Sequence, residues 1–92
     1  MKITQSGIFK KKAKKLSHQQ KLQLDNAIRT IIDNTNVGEK KKGDLQDVYV
    51  YKFKIDNTLY LAAYRFSSDS LDLIMFGPHE NYYRDLKNYL YS

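Results

Sequence analysis

Ninety-two residues make one domain, 1–92, with room for a single modest core, so the fold is marginal alone or stabilised by a partner. With no cysteine there is neither a disulfide framework nor a thiolate metal site, and two histidines far apart make a poor ligand set, so neither metal nor cofactor is expected. Sixteen Lys and Arg against ten Asp and Glu give +6, unevenly placed: residues 1–42 hold eleven basic groups and three acids, a local +8, whereas 43–92 hold five and seven, or −2. The first half is thus attracted to a phosphate backbone or an acidic protein, and its plainest alternative role is a solvated lysine face kept for solubility.

"MKITQSGIFKKKAKKL" lacks the apolar core of a secretory leader, and no run approaches the roughly 18 apolar residues of a membrane span; the expectation is a cytoplasmic protein without a membrane partner. "KIT" reads as an edge strand. In "SGIFKKKAKKL", Phe9, Ala13 and Leu16 fall at helical spacing, which turns Lys10, Lys11, Lys14 and Lys15 outward. Ser17 with Gln20 has capping-box form, and Leu24, Ala27, Ile28, Ile31 and Ile32 follow on one stripe, so two helices make a hairpin that "DNTNVG" ends.

After the lysine-rich loop "GEKKKGDL" the period becomes two. "DVYVYKFKI" sets Tyr49, Tyr51 and Phe53 on one strand face, with Val48, Val50, Lys52 and Lys54 on the other. Asp56 to Thr58 is a hairpin turn, "LYLAAYRF" a second strand, "SSDS" a turn and "LDLIMF" a third strand, all antiparallel. Pro78 is expected to open a final helix whose inward face is Tyr83, Leu86 and Leu90. The fold class is α+β, an N-terminal helical hairpin on an antiparallel sheet of three to four strands, with a C-terminal helix. The other sheet face would carry Lys52 and Lys54, with Arg65 joining them if the register agrees, and His79 and a tyrosine at the rim.

In this order "FKKKAKKL", "GDLQDVYVYKFK", "LYLAAYRF" and "FGPHENYYRDLK" resemble the RelE/ParE superfamily of toxins from bacterial type II toxin–antitoxin modules, over nearly the whole chain. The resemblance implies a cognate antitoxin that wraps and neutralises the toxin in a hetero-oligomer. In the RelE branch it implies cleavage of mRNA, usually on the ribosome, and in the ParE branch inhibition of DNA gyrase without hydrolysis. "YKFK" looks like the RelE-type "YKIK", which carries Lys52 and Lys54 to positions at the scissile phosphate. The family's arginine early in the next strand is absent, since Tyr60-Leu61 stands there; Arg65 is the conjectured replacement. "GPHENYYR" echoes the family's ending, with His79 near its basic position and Tyr83-Arg84 at its Tyr-Arg pair, Tyr82 competing for the tyrosine role.

Metal-free RNA cleavage needs a base for the 2′-hydroxyl, cations for the phosphorane and an acid for the leaving 5′-oxygen. Histidine titrates near neutrality, so His79 can give or take a proton, with Glu80 an alternative base. Lys52, Lys54, Arg65 and Arg84 would stabilise charge, and Tyr83 would stack on a splayed base or orient the phosphate. Lys11, Lys14, Lys15, Lys41 and Lys42 would dock ribosomal RNA or an acidic antitoxin, while His18 is surface. Each also has a plain structural use: a first-turn hydrogen bond for His79, core packing for Tyr83, edge protection for Lys52 and Lys54. A non-catalytic nucleic-acid or protein-binding module therefore stands beside the two toxin readings.

Overall fold

The computed structural model describes residues 1–45 and 47–91. Among these, five strands and three helices follow in the order β1 (Lys2–Gln5), α1 (Gly7–Lys14), α2 (His18–Asp33), β2 (Glu39–Lys40), β3 (Tyr49–Ile55), β4 (Thr58–Phe66), β5 (Ser70–Pro78) and α3 (Tyr82–Tyr91), with a 3-10 turn at Gly43–Leu45. The strands form one mixed sheet in the order β1-β5-β4-β3-β2. The expected meander is β3–β4–β5, antiparallel throughout. The edge strand expected at "KIT" is β1, which pairs parallel with β5 and makes the sheet mixed; a fifth strand, β2, inside the lysine-rich segment read as loop, pairs antiparallel with β3 and exceeds the expected three or four.

Local chemistry sets the element ends. Ser17 and Gln20 form the reciprocal capping box that starts α2. Asp56 and Asn57 both take left-handed backbone, φ 51° and 68°, as the tight turn between β3 and β4 requires. Asp56 also accepts hydrogen bonds from the side-chain amides of Gln20 and Gln23, each at 3.0 Å, and its N–H donates to Gln23 Oε1 at 2.8 Å, which clamps the hairpin to α2. Pro78 does not open α3. It is the last residue of β5, opposite Tyr60, and the next N–H, that of His79, donates to Leu59 O at 2.9 Å. Because N–H groups alternate along a strand, the donor that proline lacks would point away from β4, so the ladder loses nothing.

Each sheet face has its own core. On one, Leu24 and Ile31 of α2, with Ile28 and Ile32 beside them, meet Tyr49, Tyr51 and Phe53, and Phe9 of α1 packs edge-on to Phe76 at 4.8 Å between ring centres. The strand phase is therefore the expected one, aromatic residues toward the helical hairpin. Tyr64, buried here, donates its hydroxyl to Thr35 O at 2.7 Å and accepts from Gly38 N at 2.9 Å, which fixes the segment leading from α2 to β2. A Cβ on Gly38 would lie 2.7 Å from that hydroxyl, so only glycine fits.

The second face carries a core of its own beside the expected lysines. Val48, Val50, Leu61, Ala63 and Met75 are buried against Tyr82 and Leu86 of α3. The inward stripe of α3 is thus Tyr82 and Leu86, with Tyr83 and Leu90 only flanking it. A β-bulge at Ile74 offsets the β4–β5 register, where Ala63 faces Met75 and Tyr64 faces Leu73. Side chains hold it from both sides: Ser6, the N-cap of α1, donates to Ile74 O, and the Tyr82 hydroxyl donates to Met75 O at 2.7 Å.

Candidate functional site

The register of β3, β4 and β5 sorts the second face into rows. Val50, Ala63 and Met75 form a row under α3. Lys52, Leu61 and Gly77 form the next, and Lys54 and Leu59 the one after, continued to His79 by its hydrogen bond to Leu59 O. Neighbouring strands lie about 4.8 Å apart, so Lys54 and His79 are separated by about 10 Å across one strand, and Lys52 is one row away. All three side chains are exposed and make a strip along the edge of the buried Leu61 and Gly77.

Tyr83 closes one side of this strip. Its ring centre lies 5.0 Å from the Lys41 ammonium, within range of a cation–π attraction, and that ammonium also pairs with Glu39 at 3.0 Å. Burial pulls the Lys41 pKa down, but Tyr83 and Glu39 together outweigh it, so the net shift is upward and the cation is held. The hydrogen bond and charge of Lys41, with a further contribution from Lys52, keep the Glu39 carboxyl below its usual range. Glu39, Lys41, Lys52 and Tyr83 are therefore one electrostatically linked group. Glu39 did not stand out in the sequence; its signal was the two-residue spacing to Lys41, which puts both on one face once the segment is recognised as a strand.

Of the two adjacent tyrosines, the structure separates the roles of space. Tyr82 is buried, its hydroxyl spent on Met75 O, and burial pushes its pKa far above the phenol range. Tyr83 is half-exposed beside Lys41. Arg65 does not join the lysines. It sits opposite Asp72, four residues along β4 from Leu61 and six from Leu59, about 13 and 20 Å at strand rise. Its place in the Lys52 row is filled by buried, uncharged Leu61. Arg84 points to solvent from α3, 3.6 Å from Asp85, and Glu80 is exposed in the turn between β5 and α3. Lys11, Lys14, Lys15 and Lys42 are exposed away from the rows, the first three on or just after α1, and His18 is exposed at the start of α2.

A family model of ParE-like toxins of type II bacterial toxin–antitoxin systems matches residues 3–87. This chain belongs to that family. The toxin's structure is similar to that in the intact E. coli RelBE toxin–antitoxin complex (TM-score 0.66, 18% identity, covering 86% of this chain and 96% of that one). It is also similar to a YoeB/ParE toxin from Agrobacterium tumefaciens (0.68, 18%, 86% and 99%) and to a doubly substituted E. coli RelE in the free state (0.70, 16%, 95% and 90%). At such identities the likeness is one of fold. No curated protein matches the chain. Among the described residues no helix is long and apolar enough to cross a membrane.

Proposed function

We propose that this toxin is a metal-independent endoribonuclease that cuts mRNA, in the manner of the RelE branch, and so stops translation. The observation that supports it is the exposure of Lys52, Lys54 and His79 on two adjacent rows of one sheet face, at the margin of the core that α3 covers. There Lys52 and Lys54 hold the non-bridging oxygens as charge grows on the phosphorane, a contribution that in comparable sites is worth about 10² to 10³ in rate per donor. His79 exchanges the proton, taking it from the 2′-hydroxyl or giving it to the leaving 5′-oxygen. Glu39, kept ionised by Lys41, is a second proton acceptor on the same face, and Tyr83 offers a ring for a splayed base. Lys11, Lys14, Lys15 and Lys42 add sequence-independent affinity for ribosomal RNA. An acidic segment of a cognate antitoxin would cover the same strip in a hetero-oligomer.

The test is cleavage in a translating extract. The purified protein should leave messages ending in 2′,3′-cyclic or 3′-phosphate, because the internal 2′-hydroxyl is the nucleophile these side chains can activate. His79→Ala should lower the rate about 10² to 10⁴-fold, with its unfolding midpoint unchanged because the side chain is exposed. The buried Leu61 in the middle of the Lys52 row favours a second reading, gyrase inhibition, since a cation is missing from β4. Intact messages together with blocked supercoiling by gyrase would establish that reading and end the first.

A further inference from the structure

Lys12 is the exception among the lysines of α1. Lys10, Lys11 and Lys14 are exposed, whereas Lys12 is half-buried. Its ammonium reaches the sheet at Gly77: a Cβ built on Gly77 would lie 3.2 Å from Lys12 Nζ and 3.7 Å from the ring of Tyr82. Gly77 is in the row Lys52–Leu61–Gly77, on the face that α3 covers. α1 packs along β5 beyond the reach of β1, which pairs only Ser70 to Leu73, so a side chain from α1 can pass round the sheet edge there. The described structure gives Lys12 no acidic partner.

We propose that Lys12 is a further phosphate-binding residue at the margin of the strip, its ammonium brought there round the sheet edge at Gly77. Lys52 and Lys12 then bracket the uncharged Leu61 from the two outer strands of one row, about 10 Å apart at the backbone. Long flexible side chains close that gap around one phosphate of a single-stranded nucleic acid. The cation that β4 lacks is thereby delivered from a helix, through a gap that any residue larger than glycine at position 77 would narrow. This rests on the strip being a polyanion site, as in the proposed ribonuclease.

Binding of a short single-stranded oligodeoxynucleotide, which lacks the 2′-hydroxyl and is not cut, tests it across a potassium chloride series. Lys12→Ala should weaken binding several-fold and reduce the slope of log affinity against log salt by about 0.7, the value for one lost phosphate contact on a single strand. Lys12→Arg should restore both. Gly77→Ala should weaken binding less than Lys12→Ala does, because its methyl asks the Lys12 tip to give by only a few tenths of an ångström and meets the Tyr82 ring at ordinary contact distance, with the protein staying folded by thermal unfolding. The double variant should be no worse than Lys12→Ala alone, since Gly77→Ala acts only through Lys12. Lys10→Ala removes a charge from the same helix and is the comparison. If the wild type binds and Lys12→Ala equals Lys10→Ala, the assignment of Lys12 is overturned and the polyanion site stands. If the wild type binds no oligonucleotide at any salt, both fall.

Discussion

Two neighbouring tyrosines show how much one residue of helical phase decides. Tyr82→Phe removes the donor to Met75 O inside the core and should cost about 1 to 3 kcal/mol, with activity per folded molecule unchanged. Tyr83→Phe should leave the unfolding midpoint in place and change RNA binding or cleavage, because it keeps the ring beside Lys41 but loses the hydrogen bond between the two side chains. Urea unfolding and cleavage rates measured on both variants separate the two; equal stability losses would contradict this division. The sequence allowed either choice, since 82/86 and 83/86/90 are both helical spacings, and expecting Pro78 at the helix start left the phase free. What settles it is the bulge at Ile74, where the carbonyls of Ile74 and Met75 take their donors from Ser6 and Tyr82, partners that only the fold reveals. Arg65 failed for a similar reason: residues 61 and 65 share strand parity, but about 13 Å of strand separates them.

At the level of elements, the hairpins were the legible part. The capping box of α2, the aromatic phase of β3 and the tight turn at Asp56 and Asn57 all depend on near neighbours in sequence. β2 was not legible, because two residues carry no period; it exists where β3 offers an unpaired edge. The Asp56 clamp gives this level its own test. Bonds from Gln23 and Gln20 lower the Asp56 pKa, and Lys41 lowers that of Glu39. A depressed carboxylate contributes stability that is fully present above its unfolded value, 3.8 for aspartate and 4.5 for glutamate, and is lost as pH falls through the lower folded one. The unfolding midpoint should therefore hold steady down to about pH 5 and then decline. Asp56→Asn, which tolerates the left-handed turn, should be less stable at neutral pH and show a shallower acid decline in calorimetry from pH 7 to 3. An unchanged decline would mean the clamp carries no pH-linked stability.

For the molecule as a whole, the pairing of β1 with β5 joins residues 2–5 to residues 70–73, and the row that holds Lys52 needs β5 as its outer strand. A growing chain therefore possesses its lysines and its helical hairpin well before it possesses a sheet to arrange them on. At about 5 to 20 residues per second, that interval lasts seconds. Stalled chains ending near residue 68 should be digested readily by a protease, and chains reaching residue 91 should resist; resistance in the shorter chains would show that the hairpin and β3–β4 suffice. The proposed RNA-cutting surface is thus assembled only when β5 joins the sheet, and the delay before that is time in which a neutralising partner can already be at hand.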